Sequence, residues 1–167
     1  MRTFRRIVTG HDPDGRSTVV EDRECPHVET TANATVTNLW LHEGSPSNAT
    51  PYRDPIGPGV PLAPPSRGSV LRVVEFPPHE PGATAYVHRT DSLDYAYVID
   101  GAIYSVLDSG ETLMRPGDVL IQRGTNHAWD NRSDKPCTIL FALLSATPLH
   151  PPSPARASTN QPNTPTP

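Results

Sequence analysis

The stretch GATAYVHRTDSLDYAYVIDG, residues 82–101, decides the fold of this chain. It mixes apolar and polar residues between two glycines, and a second stretch, GDVLIQRGTNHAWDN at residues 117–131, has the same character. Short runs of this kind, separated by turn residues at intervals of about ten, are typical of an antiparallel sandwich or barrel. The pattern predicts strands at residues 36–41, 69–76, 84–88, 95–99, 102–107, 118–122 and 138–144.

The chain of 167 residues contains 21 prolines and 11 glycines, and most of the prolines lie outside these runs. Proline interrupts helices and central strands, so an all-helical fold is excluded. The length fits one domain. We predict an N-terminal arm with edge strands and a proline-rich loop at 1–68 and a barrel core at 69–147. The remainder, 148–167, is predicted to be a disordered tail because it has almost nothing apolar to bury.

Charge and hydropathy exclude several classes of partner. The chain has 14 Lys and Arg against 18 Asp and Glu, a formal net charge of -4, so no nucleic-acid partner is expected. No apolar stretch approaches the roughly 18 residues that a membrane span needs, and the first residues do not have the pattern of a secretory signal. A cytoplasmic protein is therefore expected. Cys25 and Cys137 stand far apart and are predicted to be reduced thiols.

The two stretches resemble the paired motifs of the cupin superfamily. The first motif is usually written G-x5-H-x-H-x(3,4)-E-x6-G, and its spacing is kept by Gly82, His88, Thr90, Asp94 and Gly101. The resemblance extends over about residues 69–144. It implies an all-β, single-domain, cupin-type jelly-roll β-barrel. It also implies a homodimer, because small cupins commonly pair through N-terminal strands.

The second motif, G-x5-P-x-G-x2-H-x3-N, is matched by Gly117, Gly124, His127 and Asn131, with one residue fewer between the glycine and the histidine. On a strand, side chains two residues apart face the same way, so the first motif would present several of its side chains to one cavity. His127 would enter the same barrel from another strand. The pair of motifs therefore predicts one shared site.

The resemblance implies that metal-binding cupins use three histidines and one glutamate as ligands. This chain keeps His88 and His127, has Thr90 in place of one histidine, and has the shorter Asp94 in place of glutamate. Two imidazoles and a carboxylate are a set able to hold Fe, Mn or Zn. Without a metal the same three side chains form an acid/base set, in which the carboxylate fixes a histidine tautomer. Both alternatives remain open: no cofactor, or one divalent metal.

An arginine interrupts the apolar run at residues 69–76. Alternation places Arg72 on the same face as Val70, Val74 and Phe76 and places Glu75 on the opposite face, so one of these two charges points toward the barrel unless the strand is exposed at an edge. An inward Arg72 would bind a carboxylate, enolate or phenolate oxygen. The alternative is a sheet edge, where isolated charges are common.

Four aromatic residues are candidates for the wall of a site for a flat substrate: Tyr86, Tyr97, Trp129 and Trp40. Packing in a β-sheet core is the alternative explanation for each of them.

These residues predict an enzyme that acts on a small organic molecule by acid/base chemistry, as a dehydratase, isomerase, cyclase or decarboxylase. His88 or His127 would remove a proton, Asp94 would orient the base, and Tyr86 or Arg72 would stabilise the developing oxyanion. The substrate would contact Thr90, Tyr97, Trp129 and Trp40. Stand-alone cupins of this shape resemble accessory enzymes of secondary metabolism. The runner-up is a mononuclear metal-dependent oxidoreductase that uses the same residues, and a third alternative is a binding protein without catalysis.

Overall fold

A computed structural model describes residues 2–80, 82 and 84–148 of the chain. The described residues form the strands β1 (Arg5–His11), β2 (Ser17–Glu24), β3 (Val28–Thr30), β4 (Thr35–Glu43), β5 (Gly68–Phe76), β6 (Ser92–Asp100), β7 (Ile103–Leu107), β8 (Gly110–Met114), β9 (Val119–Arg123), β10 (His127–Asp130) and β11 (Cys137–Ser145). They include no helix with the length and apolar character needed to cross a bilayer. The predicted tail lies, beyond Pro148, outside the described residues.

Two sheets build the barrel, and a separate hairpin precedes them. The larger sheet has six strands in the order β3-β4-β5-β11-β6-β9, the smaller has the order β10-β7-β8, and β1 pairs only with β2. All the strand pairings are antiparallel. The predicted all-β jelly-roll barrel is confirmed. The predicted boundary at residue 68 divides the larger sheet, because β3 and β4 belong to it.

The two sheets bury a common apolar core. Val98 and Ile139 from the larger sheet and Ile103 and Met114 from the smaller one are almost fully buried in one cluster. Cys137 belongs to the same cluster, and both cysteines are free thiols. Burial of apolar surface on both inner faces is what holds two sheets together. This core fills one end of the barrel and leaves the other end available for a cavity.

The N-terminal hairpin is attached through charged side chains. Arg6 on β1 is only 5% exposed. Its guanidinium forms ion pairs with Glu21 and Asp54 and donates a hydrogen bond to the carbonyl oxygen of Leu39 at 3.2 Å. His27 donates to the same Asp54 carboxylate at 2.8 Å. A buried arginine with this many partners ties the proline-rich segment and the hairpin to β4.

One motif glycine is required by the backbone. Gly101 joins β6 to β7 with φ at +79°, and a Cβ atom there would lie 2.5 Å from the carbonyl oxygen of Pro136. Only glycine adopts this conformation at such a close approach. The last glycine of the first motif is therefore required by the turn that joins β6 in the larger sheet to β7 in the smaller one.

The predicted strand at 84–88 is wrong. Outside the named strands, this segment forms only an isolated bridge between His88 and His127, with backbone N···O distances of 2.9 and 3.0 Å. The sequence also did not predict the hairpin of β1 and β2, which has mostly exposed residues and therefore no apolar alternation. It missed β8 and β10 as well, each of which is short.

Candidate functional site

The barrel cavity lies at the end that the apolar core leaves open. Its volume is about 510 Å³, within the usual range for sites that enclose a small molecule. Residues of β4, β5, β6, β10 and β11 contribute its walls, together with the segments at 31–34, 77–80 and 84–86. Most of the wall is apolar, with contributions from Leu62, Val74, Phe76, Trp129, Phe141 and Leu143. Any acid/base or charged group that acts in the cavity must therefore come from its few polar side chains.

The five residues predicted to be catalytic meet in this cavity. Arg72, Tyr86, His88, Asp94 and His127 all line it. The alternation expected around His88 is present in part, although the segment is not a strand: Thr84, Tyr86, His88 and Thr90 line the cavity, but so does Ala85. The sequence left the direction of Arg72 open, and in the structure Arg72 lines the cavity.

His88 and His127 form a pair. The isolated bridge between their backbones brings the two rings to a centroid distance of 4.3 Å, and Tyr86 stacks on His88 at 5.3 Å. His127 is 4% exposed. Trp129, two residues along β10, packs edge-on against His127 at 5.8 Å. The two imidazoles thus share one region of the cavity.

Backbone carbonyls determine which ring nitrogens carry protons. The Nδ1 atom of His127 lies 3.0 Å from the carbonyl oxygen of Thr125, and that of His88 lies 3.3 Å from the carbonyl oxygen of Tyr86. A carbonyl oxygen only accepts hydrogen bonds, so in each ring Nδ1 is the donor. The Nε2 atoms then carry the lone pairs. Each neutral ring is therefore preset as a proton acceptor at Nε2.

Burial keeps His127 in this neutral state. Loss of solvent lowers the pKa of His127 below its ordinary value; the Thr125 carbonyl opposes this effect, and the positive charge that His88 can acquire reinforces it. His127 is therefore held in the neutral form that can accept a proton.

Asp94 does not orient either ring. The predicted contact between this carboxylate and a histidine is wrong, because the carbonyls of residues 86 and 125 occupy the Nδ1 atoms instead. Asp94 is 5% exposed, and its Oδ1 atom has no hydrogen-bond partner among the described residues. Burial raises the pKa of Asp94 above the ordinary value, partly opposed by the Ser92 hydroxyl and by the charges of His88 and Arg72.

Arg72 is the second buried charge without a full set of partners. It is 5% exposed, and its Nε atom has no acceptor among the described residues. Nη2 donates to the carbonyl oxygen of Pro61 at 2.8 Å. Burial lowers the pKa of Arg72, and the negative charges of Glu29 and Asp94 oppose this effect. Arg72 thus holds the proline-rich segment against the cavity, and its Nε–H remains without a hydrogen-bond acceptor.

The aromatic wall is only partly as predicted. Trp129 lines the cavity, and Tyr86 lies exposed at its rim. Tyr97 is 44% exposed and projects from the outer face of β6, since Asp94, three residues earlier, projects inward. Trp40 stacks on Tyr52 at 6.2 Å, away from the cavity lining. Tyr97 and Trp40 therefore do not form the predicted aromatic wall of this cavity.

The sequence of the chain is similar to those of known proteins. A family model described as the cupin domain matches residues 72–143. The chain is also 33% identical to the cupin-domain-containing oxidoreductase fogC of Aspergillus ruber, over 87% of this chain and 74% of that protein. This chain belongs to the cupin superfamily.

One further relative and one solved structure are similar to this cupin. It is 36% identical to the Phomopsin biosynthesis cluster protein C' of Diaporthe leptostromiformis, over 89% of this chain and 82% of that protein. The cupin domain of Schizosaccharomyces pombe Cnp3 superposes with a TM-score of 0.53 at 15% identity, covering 84% of this chain and 87% of that chain. The second likeness supports the fold alone.

The cupin ligand positions do not form a metal-binding group here. Within the described ranges, no three or more His, Cys, Asp or Glu side chains are placed to hold a metal ion. His88 and His127 lie together, but Asp94 does not complete a set with them. At the remaining ligand position, the Thr90 hydroxyl hydrogen-bonds to that of Ser92 at 2.8 Å. The predicted facial set for Fe, Mn or Zn therefore does not fit this arrangement of donors.

The sequence analysis missed a histidine and carboxylate pair at the cavity wall. His79 lines the cavity, and its Nδ1 atom donates to Asp130 at 2.8 Å. Arg132 donates to the other oxygen of that carboxylate at 2.6 Å, and its hydrogen bonds, together with that of His79, hold the pKa of Asp130 below its usual value against the effect of burial. No sequence motif signals the pair, because the two residues lie far apart in the chain. It anchors the loop at 77–80 to the end of β10.

Proposed function

We propose that this cupin is an enzyme of secondary metabolism that moves a proton on a small organic molecule in the barrel cavity. The carrying observation is the pair of imidazoles, His88 and His127, with ring centroids 4.3 Å apart and each Nδ1 facing a backbone carbonyl. Relatives named as biosynthesis cluster proteins support the place in secondary metabolism. The reaction types that need only this chemistry are isomerisation, dehydration, cyclisation and decarboxylation.

His127 is the base in this proposal. Its Nε2 lone pair takes a proton from a carbon next to a carbonyl group of the substrate. The resulting imidazolium is disfavoured by burial and by the adjacent His88, so His127 returns the proton to another atom of the substrate or passes it to His88. Because each ring has one nitrogen engaged by a carbonyl, neither has to rotate during the transfer.

Arg72 supplies the electrostatic part of the reaction. Removal of a proton next to a carbonyl places negative charge on the carbonyl oxygen, and a buried positive charge stabilises that oxyanion more strongly than water does. Arg72 lines the same cavity and has an uncommitted Nε–H. Tyr86 at the rim and Thr90 in the wall are proposed to contact the substrate. In this scheme Asp94 is a buried carboxyl group beside the substrate, and it is not the partner of a histidine.

The test compares two strains of the organism that carries this chain, one with the natural protein and one with His127→Gln. We expect the variant strain to accumulate a compound that the purified natural protein converts to its missing product. Substrate and product should have the same composition or differ by water or carbon dioxide. In heavy water, an isomerisation should incorporate deuterium at carbon. Conversion by the purified His127→Gln protein at an undiminished rate would contradict the proposal.

A redox reaction is the second candidate, and the name of the Aspergillus ruber relative favours it. A substrate and product that differ by two hydrogen atoms or by an oxygen atom would support this alternative. Elemental analysis of protein purified without chelators, repeated on His88→Gln and His127→Gln, would show whether these imidazoles retain a metal.

We also propose that this cupin is a homodimer. The outer face of β6 and β9 exposes large apolar side chains in register, Tyr95 opposite Ile121 and Tyr97 opposite Val119. A monomer rarely exposes such a continuous apolar patch. Light scattering should give twice the chain mass for the natural protein and the chain mass for Ile121→Glu. A natural monomer would contradict this proposal and leave the cavity chemistry untouched.

A further inference from the structure

Two arginines of this cupin are equally buried and differ in their partners. Arg6 and Arg72 are each 5% exposed. Arg6 forms ion pairs with Glu21 and Asp54. Arg72 forms no ion pair within the described residues, and its one hydrogen bond goes to the neutral carbonyl of Pro61. A buried positive charge is costly unless an anion accompanies it, so Arg72 lacks the anion that its burial calls for.

The place of the missing anion is defined by what surrounds the guanidinium. Arg72 lines the barrel cavity between apolar neighbours on its own strand and on β11, with Val74 two residues along and Phe141 opposite it in the register. The Nε–H has no acceptor among the described residues. Asp94 lines the same cavity but does not form an ion pair with Arg72.

We propose that the substrate of this cupin is a predominantly apolar molecule, about as large as a substituted benzene ring or somewhat larger, that carries an oxyanion group, and that Arg72 binds this group. The inference rests on the proposed function only in taking the barrel cavity as the substrate site. A guanidinium fits a carboxylate or an enolate through directed N–H donors. The apolar wall, including Trp129 and Phe141, receives the rest of the molecule.

The same features select against other classes. An amine would bring a second positive charge to Arg72 in a poorly solvated cavity, which costs affinity. A sugar or polyol would leave most of its hydroxyl groups against apolar walls without hydrogen bonds, which costs affinity as well. A neutral amide of the same shape fills the cavity equally but does not compensate the charge. The comparison between an acid and its amide therefore isolates the contribution of Arg72.

Binding is measured in a Trp40→Phe protein, in which Trp129 is the remaining tryptophan and reports from the cavity wall. The probes are 3-phenylpropanoate, its neutral isostere 3-phenylpropanamide, and 3-phenylpropylamine. The enolate class is represented by 4-nitrophenol at a pH where it is ionised. We expect at least one of the two anions to bind about tenfold or more tighter than the amide, because the hydrogen bond is charge-assisted. We expect no measurable binding of the amine.

Arg72→Met in the same background should remove the preference for the anion and leave the affinity for the amide within about twofold, since methionine keeps the apolar length of the side chain. Arg123→Met is the matched control. Arg123 is exposed on β9 and is absent from the cavity lining, so the preference should persist there. Loss of the preference in both variants would show a general charge effect and overturn the assignment to Arg72.

The affinities of the protein with its natural Arg72 also test the proposal, and they do not depend on whether the Arg72→Met variant folds. Affinities of both anions no higher than that of the amide, or no binding of any probe, would each overturn the proposal. His127→Gln should keep the preference for the anion, because binding at Arg72 does not need the base. If the test of proton transfer fails while the preference for the anion persists, this inference stands without the proposed mechanism. If proton transfer is found while the preference is absent, the proposed mechanism stands without this inference.

Discussion

Replacing each of the two buried arginines by methionine should change the stability of the protein in opposite directions. In Arg72→Met, an unpartnered Nε–H is removed from the interior, and a buried donor without an acceptor costs about 1–3 kcal/mol. The substitution also loses the hydrogen bond to Pro61, worth about 1 kcal/mol, but that residue is exposed and water can replace the donor. We expect a net gain of about 1 kcal/mol and a rise in melting temperature of about 3 °C.

Arg6→Met removes the partner of two carboxylates. The Glu21 side chain is 9% exposed and that of Asp54 is 23% exposed, so both would lose their buried cation and keep only the more exposed Arg23, at 3.0 and 3.6 Å. Breaking a buried pair by deleting one partner is strongly destabilising, and we expect the melting temperature to fall by about 5 °C or more. The two variants carry the same change in charge and composition, so each controls for the other.

The assay is thermal unfolding followed by circular dichroism at pH 7, repeated with guanidinium chloride and read as the midpoint at unchanged slope. A fall in melting temperature for Arg72→Met of the size expected for Arg6→Met would refute the reasoning. It would mean that Arg72 is held by structural partners and is not reserved for a ligand. Stability gained on removal of a charged site residue is the usual sign that the residue is kept for function.

Three further predictions concern the cavity and one turn. The natural protein should lose stability as the pH falls below about 6.5, because the unfolded His127 ring takes a proton that the buried ring resists; His127→Gln should fold and have a flatter profile there in urea midpoints. The double variant Thr90→His with Asp94→Glu should bind Zn or Mn at least about tenfold tighter than the natural chain in calorimetry, and tight stoichiometric binding by the natural chain without a gain would contradict the proton-transfer scheme. Gly101→Ala should lower the free energy of unfolding, measured with denaturant, by about 2 kcal/mol or more, because its φ is +79° and the carbonyl oxygen of Pro136 blocks the added Cβ. A loss below about 0.5 kcal/mol would show that the turn relaxes to accept the side chain.

Two errors of the sequence analysis have identifiable physical causes. Tyr97 lies three residues from Asp94 on β6, and the period of two places such residues on opposite faces, so the inward Asp94 excludes an inward Tyr97. Trp40 would share the inward face of Val36 if β4 were regular. The register shifts by a bulge between Asn38 and Trp40, and a single extra residue reverses which face each later side chain occupies. A bulge has no reliable signature in the residues themselves.

The hairpin escaped prediction for a related reason. Strand prediction depends on apolar alternation, which exists only where one face of a strand is buried. β1 and β2 are held through Arg6 and its carboxylate partners, and their other residues are mostly exposed. One of those partners, Asp54, lies in the proline-rich segment, far from the hairpin in the sequence. Polar docking of this kind depends on distant residues and leaves no periodic pattern.

The sequence by itself determined the all-β class and the barrel strands at 69–76, 95–99 and 138–144. Those features depend on the alternation of side chains along a strand and on turns whose backbone requires glycine. Both are set by residues that are close together in the sequence. The tertiary structure alone decided that backbone carbonyls preset His88 and His127, and that Arg72 and Asp94 keep unpartnered polar atoms. Whether a buried group is satisfied depends on which atoms distant strands bring within about 3 Å of it, and no spacing along one strand contains that information.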